Sequence, residues 1–394
     1  MPARPTHKST HNSIQTRFLV TFLAAGLVLG SAGASAATAQ QPAQPPAQPT
    51  TSQPEAEPAV PGFTARSIDT ITAQFRKHGL ATAPEKPAGT IRLATYNIHE
   101  LFDDVDDPDL TGRQEDIGRV MIESRRAATS HALRGINADI VALQEVESLE
   151  ALEWYRDGNL ADLGYTHAAS VEVGHPLGLE QAVLSRYPIV ATQTWTDRVI
   201  GTHPDLYRGK PSRYAGEPLT FRRSPLMAEI ALIDDSESAD LGIVPEAQRV
   251  TLLVVHFKTG EGSDAWRAAE GAAVAAILGE LKADRPDRRV IVLGDFASGD
   301  AEGHLAPVLE AGLKDVFAAS GTDLGSKDAV TSIEGDRACG ILVGPGVTLA
   351  EGSTPFVVGT VVPPDQLDRR RGFRMPGFAS DHYPVACDLA APTD

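Results

Sequence analysis

Eight short apolar runs with the length and β-branched content of strands recur along this chain, at 91–98, 139–146, 181–184, 226–233, 250–257, 290–296, 341–343 and 383–389. Two helical stretches are interposed. One, at 116–133, carries Ile117, Val120, Met121 and Leu133 at compatible spacing; the other, at 266–281, places Trp266, Ala269, Ala273, Ala276 and Ile277 on one face. Strands alternating with amphipathic helices predict an α/β domain whose sheets are covered by helices. Ligands in such architectures gather at strand ends, so the polar residues that close several of these runs are where chemistry is expected.

The first run closes on Tyr96-Asn97-Ile98-His99, the second on Gln144-Glu145, the fifth carries His256, the sixth ends Gly294-Asp295-Phe296, and the last begins Ser380-Asp381-His382. This is a set of carboxylates, one carboxamide and imidazoles, which suits a hard divalent cation beside a phosphate. Glu145 and Asp381 supply oxygen ligands for Mg²⁺ or Mn²⁺, Asn97 can ligate or orient, and the histidines can donate to phosphate oxygens. Zinc would prefer denser His and Cys ligation. Taken singly, each residue has a plainer explanation, since an Asp after a strand commonly forms a turn or caps a helix. Their joint placement at strand ends is what argues for a site.

Acidic residues outnumber Lys plus Arg by 52 to 35, giving a formal charge of −17. A general binder of nucleic acid or anionic membrane would need the opposite sign, so nucleic acid is an allowed but disfavoured partner and any anionic substrate must be met locally. Two clusters could do so: Arg208, Lys210, Arg213, Arg222 and Arg223, and Arg369, Arg370, Arg371 and Arg374. The plain alternative is a pair of solvated loops. Two cysteines, Cys339 and Cys387, are too few for a disulfide scaffold or a four-cysteine zinc site. If Cys339 lies beside His382, then Cys387 is too far along the strand to bridge it, and both thiols are expected free.

At the N-terminus, Arg4, Lys8 and Arg17 precede an apolar run at 18–29 and the small residues Ala34-Ser35-Ala36. That order predicts a signal peptide at 1–36 and a secreted or periplasmic protein, the alternative being an uncleaved N-terminal membrane anchor. Residues 37–61, rich in Pro, Gln and Ala, read as a linker. Residues 62–88 read as a helical extension, with Ile68, Ile71 and Phe75 on one face, Ser67 as N-cap and Gly79 as stop. The remainder, 89–391, reads as one large domain. N-terminal sequencing of the exported protein should begin at or near Ala37; recovery of intact Met1 from that fraction would defeat the reading.

The same residues resemble the endonuclease/exonuclease/phosphatase superfamily. Leu93-Ala94-Thr95-Tyr96-Asn97-Ile98 looks like its opening Asn strand, and Asp139-Ile140-Val141-Ala142-Leu143-Gln144-Glu145-Val146 like its metal-binding strand. Ala182-Val183-Leu184-Ser185-Arg186-Tyr187-Pro188-Ile189, Arg223-Ser224-Pro225, His256-Phe257-Lys258-Thr259, Gly294-Asp295-Phe296 and Ser380-Asp381-His382-Tyr383-Pro384-Val385 are similar to further segments. The resemblance implies a four-layer sandwich, two mixed β-sheets face to face with helices on both outer faces. It also implies metal-assisted phosphoester hydrolysis: a cation at Glu145, Asn97 and Asp381, Asp295 positioning or deprotonating water, and His382, His256 and Arg223 stabilising charge.

The chain departs from the family pattern twice. Ala297 stands where an Asn normally follows Gly-Asp-Phe, and Cys339, in Arg337-Ala338-Cys339-Gly340, stands where an Asp normally orients the catalytic His. A methyl group cannot hydrogen-bond, and Ser298 compensates only if the chain curls. A thiol is a weak acceptor, so His382 is expected to be less basic and less well oriented, with Asp336 facing away. The resulting expectation is an exported phosphoesterase of unknown substrate class with reduced or redirected activity. The alternative is a pseudoenzyme that keeps the fold as an anion-binding module.

Overall fold

Alternate residues of a strand face opposite ways, and this chain buries both faces. A computed structural model describes residues 65–392 apart from 109, 111, 113–114, 234–243, 298–302, 365–368 and 373, so the segments expected to be a signal peptide and a linker, and Ser298, lie outside the described residues. Strands β1 (Thr90–Leu101), β2 (Ile140–Val146), β3 (His167–Ser170), β4 (Glu180–Ser185), β15 (Phe356–Val357) and β16 (Val385–Ala390) form one six-stranded sheet, ordered β15-β16-β1-β2-β4-β3. A second contains β5 (Ile189–Thr194), β10 (Leu226–Ala231), β11 (Arg249–His256), β12 (Val290–Asp295), β13 (Lys314–Asp315) and β14 (Cys339–Val343), ordered β13-β14-β12-β11-β10-β5. Two small ribbons pair β6 (Val199–Thr202) with β9 (Pro218–Thr220) and β7 (Leu206–Tyr207) with β8 (Lys210–Pro211). Both large sheets are mixed, because β1 runs parallel to β2 and β11 to β12 while the remaining pairs are antiparallel.

The sheets stack. Ile91, Leu93, Ile140 and Ala142 of the first meet Leu252, Val254, Ile291, Leu293 and Ile341 of the second in one core. Their alternates face outward. Tyr96, Val141 and Leu143 pack under helices α2 (Glu123–Ile136) and α3 (Leu149–Asn159), while Leu253, Val255 and Val292 pack under α4 (Asp264–Asp284). This is the expected four-layer α/β sandwich. Helix α1 (Ala65–Phe75) precedes β1 and buries Ile68, and beyond it Leu80 bridges to Val358. Among the described residues, no helix is long and apolar enough to cross a membrane.

Three local expectations fail. Ser67 lies inside α1 rather than capping it. The helix predicted from 116 starts only at Glu123, because Asp116 to Val120 form a 3-10 turn whose exit breaks helical geometry, leaving Ile117 exposed. In α4 the buried stripe runs through Val274, Ile277, Leu278 and Leu281, and Ala276 faces solvent. Both cysteines are free as expected, and buried, although they sit in opposite sheets, on β14 and β16, rather than on neighbouring strands of one sheet.

Within the first sheet, β1 is tied to its neighbour β16 by a charge pair. Arg92 of β1 donates from Nε and Nη2 to Asp388 of β16 at 2.7 and 3.0 Å, and from Nη1 to the carbonyls of Pro84 and Ile136 at 3.0 Å. These side chains are 2% and 3% exposed, so removing one charge strands the other in the core. Asp388→Ala should therefore cost about 3–5 kcal/mol in urea-unfolding stability; a loss within experimental error would show that the pair is not sealed from water.

Candidate active site

Strand parity delivers half of the site. Because Leu93 faces the shared core, Asn97, four residues on, points the same way; so do His256 after Val254, Asp295 after Leu293, and Cys339 before Ile341. Register then sets them side by side: His256 pairs with Asp295, and Asp295 with Cys339. Asn97 closes the gap between sheets, its Nδ2 donating to Asp295 Oδ2 at 2.8 Å.

The other half needs broken parity. Glu145 follows the helix-facing Leu143 by two, and a regular strand would aim it under α3. Instead its φ is +66°, and the β1–β2 and β2–β4 registers both shift at this level. This is a bulge, and it brings Glu145 Oε1 to 3.3 Å from Asn97 Nδ2. His99 and Glu100 break β1 in the same way, with φ of +58° and +60°. Of the six non-glycine residues with left-handed backbone among the described residues, four, namely His99, Glu100, Glu145 and Ala297, line a single cavity of about 500 Å³. Such strain costs on the order of 1–3 kcal/mol per residue and tends to collect at functional sites.

Arg125 of α2 holds the β1 break in place. Its guanidinium donates to the carbonyls of Ile98 (3.0 Å), His99 and Ala379 (3.3 Å), stitching the end of β1 to the loop before β16. On that loop, Ser380 Oγ donates to the Asn97 carbonyl at 2.7 Å and accepts from the His382 amide at 3.1 Å. Asp381 and His382 thereby enter the same cavity as Glu145 and Asp295.

Three carboxylates now converge, and among the described residues their ion-pair partners are all histidines. His99 Nδ1 lies 3.1 Å from Asp381 and 3.9 Å from Glu145; His256 Nε2 lies 3.8 Å from Glu145 and 3.7 Å from Asp295; His382 lies 3.3 Å from Asp295 and 2.9 Å from Asp381. Burial raises the Glu145 carboxyl above its usual range, and His99 and Arg223 only partly offset this. Burial alone would also raise Asp381, yet His382 and His99 hold it well below the carboxylate range. His256, fully enclosed and near Arg223, is pushed well down and stays neutral, and neither ring nitrogen has a hydrogen-bond partner.

The expectation for His382 is overturned. Burial opposes its charging, but Asp295 and Asp381 push it up to about 10. Two neighbouring carboxylates do the work that the residue at 339 was expected to fail at. Asp336 likewise does not turn away: it accepts from the Ser332 hydroxyl and lines the cavity.

The family model described as the endonuclease/exonuclease/phosphatase family matches residues 94–382. The chain belongs to that family. A search of curated proteins finds no match. Solved structures with a similar fold include the human Nocturnin catalytic domain with bound sulfate (16% identity, covering 78% of this chain and 96% of that one, TM-score 0.46). They also include a truncated Caenorhabditis elegans TDP2 (17%, 78% and 100%, 0.45) and a Bacteroides thetaiotaomicron mannosyl-6-phosphatase (17%, 76% and 99%, 0.45).

All seven residues singled out from sequence are thus located. Asn97, Glu145, His256, Asp295, Asp381 and His382 meet as described. Arg223, buried, lines the same cavity; its Nη1 donates to the Phe257 carbonyl at 3.4 Å and its Nε has no partner. Sequence reasoning missed His99 and Arg125. The first stood in plain view beside Asn97; the second is a charged residue in the buried stripe of α2 with Ala128, Ala132 and Ile136. In this family setting Cys339 is fully buried, its thiol pushed well up by burial and by Asp295, and its sulfur lies within 4.8 Å of ligand atoms of Asp295 and His382. Ala297 occupies a left-handed backbone, φ +64°, that Asn tolerates better than Ala, and its amide donates to Asp295 Oδ1 at 2.7 Å. Ala297→Asn should therefore stabilise the fold by up to about 1 kcal/mol and Ala297→Val should destabilise it by more. Thermal melts that rank Val above Asn would show the backbone is not left-handed there.

Proposed function

We propose that this family member is an exported, divalent-metal-dependent phosphoester hydrolase. The observation that carries the reading is the convergence, at one cavity, of three carboxylates whose ion-pair partners among the described residues are imidazoles, and an Arg223 guanidinium with an unpartnered buried nitrogen. The donor set fits a hard cation: carboxylate oxygens of Glu145 and Asp381, with the Asn97 carboxamide between the two sheets. Held there, Mg²⁺ or Mn²⁺ would supply Lewis-acid polarisation of a phosphoryl oxygen.

The chain's own groups divide the remaining work. Asp295 is fixed by donors on both oxygens, the Ala297 amide and Asn97 Nδ2, and so is aimed to hold and deprotonate an attacking water. His382, kept protonated by its two carboxylates, offers an N–H to charge developing on the phosphoryl group. His256 and Arg223 bring buried donors that lack partners of their own, which is the arrangement an incoming anion would satisfy. The alternative, a phosphate-binding pseudoenzyme, draws on Ala297 and Cys339, where the family's carboxamide and carboxylate are replaced. It loses weight because Asp381 supports His382 directly.

The test is a panel of phosphoesters with and without Mn²⁺ or Mg²⁺, together with Glu145→Ala. Saturating the site at about 100 times Kd should stabilise the parent by about 2.7 kcal/mol, a gain the variant should lose while remaining folded. Metal-dependent turnover in the parent supports the hydrolase. Phosphate binding without turnover on any ester favours the binding module, and an unchanged metal shift in Glu145→Ala moves the cation elsewhere.

A further inference from the structure

A second cavity, of about 680 Å³, adjoins the first and shares Leu177, Arg223 and Thr259 with it. Its wall includes five members of the first basic cluster, Arg208, Lys210, Arg213, Arg222 and Arg223, joined by Lys258 from the segment after β11. Among the described residues none of these six pairs with a carboxylate. Arg208 donates to the Glu261 backbone carbonyl and Lys258 to that of Thr259, and the buried Glu270 beneath them is engaged by the Lys258 amide at 2.8 Å. In a protein of charge −17, six cations gathered around one cavity, with the buried Glu270 beneath them, are a constructed feature. Burial holds the Arg222 and Lys258 groups below their usual range, and Arg223 adds a repulsion that an anion would relieve.

Aromatic rings line the same cavity, interleaved with the cations. Trp266 Nε1 donates to the Thr220 carbonyl at 3.2 Å, the His203 ring meets Trp266 edge-on with centroids 5.1 Å apart, and Arg208 and Arg213 lie 5.5 and 4.6 Å over the rings of Tyr207 and Tyr214. The β7–β8 hairpin is itself positioned. Its two-residue turn, Arg208-Gly209, has φ of +51° and +70°, the mirror-image type that suits hairpins, and its tip rests on Gly262, where a Cβ would come within 3.0 Å of the Arg208 amide. His175, buried and neutral, accepts from the Leu177 amide through Nδ1 at 3.3 Å, which leaves Nε2 as an N–H donor in this cavity.

We propose that this cavity is a substrate subsite, and that the ligand is a small phosphoester carrying a planar ring with a second anionic group. The inference rests on the hydrolase reading for the phosphoryl end only. Rings answer the Tyr and Trp side chains, the second anion answers the gathered cations, and a cavity of this volume matches a compact ligand rather than a polymer. The basic loop that the sequence left undecided is therefore a binding surface. Of the second cluster, Arg371 and Arg374 line neither cavity.

Calorimetric titration of the full domain with methylphosphonate, benzylphosphonate and 4-carboxybenzylphosphonate, none of which can be hydrolysed, separates the contributions. The ring should tighten binding several-fold, and the carboxylate by about tenfold more, the factor one charge-assisted hydrogen bond provides. In the exposed-residue double variant Lys210→Gln/Arg213→Gln the carboxylate gain should fall below about threefold while methylphosphonate affinity moves less than about twofold. Equal affinity for the three probes, or a carboxylate gain that survives the variant, overturns the subsite. Tighter binding of a ten-nucleotide single strand than of the carboxylated probe overturns the small-ligand assignment. Because no turnover is read, failure of hydrolysis and failure of the subsite remain separate outcomes.

Discussion

The site depends on one hydrogen bond that crosses the sandwich, from Asn97 on the first sheet to Asp295 on the second. Each sheet alone presents a row of strand ends; only when the two cores are in contact do those rows face one another. The apolar alternation that packs Leu93 against Leu293 is the same alternation that points Asn97 and Asp295 into a shared mouth. Core packing and chemistry are consequently not separable here. A register slip of one residue would turn both outward together.

Alternation cannot supply everything, and the exceptions are concentrated. Glu145 and His99 reach the cavity because the backbone leaves strand geometry at their positions, and Arg125 holds the break in β1 from behind through three carbonyls. The fold thus stores strain at His99, Glu100, Glu145 and Ala297 around the cavity, and offsets it with the burial of the sheets on either side. The electrostatics follow from this crowding. Carboxylates and histidines define each other's protonation, so that His382 is charged and His256 neutral a few ångströms apart. The adjoining cavity repeats the logic with opposite sign, gathering cations where the protein as a whole is acidic.

What the sequence determined by itself is considerable. Runs of β-branched residues with polar ends announced the strands, and five of the ends named Asn97, Glu145, His256, Asp295, Asp381 and His382 before any contact was known. The resemblance then supplied the four layers, which periodicity alone could not select, since a buried strand reads the same in one sheet or two. The extent of α2 was misread because the apolar spacing of Ile117 and Val120 continues past the point where the backbone ceases to be helical.

Tertiary structure decided the rest. The loss of an Asp at position 339 looked disabling for His382, because sequence reveals which partner is missing and not which one stands in. Asp381, adjacent in the chain, and Asp295, brought from the other sheet, together restore its charge. Residue identities likewise left open where the basic loop lies, and the β7–β8 hairpin places Arg208, Lys210 and Arg213 at one cavity with Trp266. The physical reason is common to both cases. Residue identity fixes what a side chain can donate, accept or carry, and strand period fixes which way it points. Which groups meet across two stacked sheets depends on long-range register and on backbone breaks, and those are properties of the packed whole.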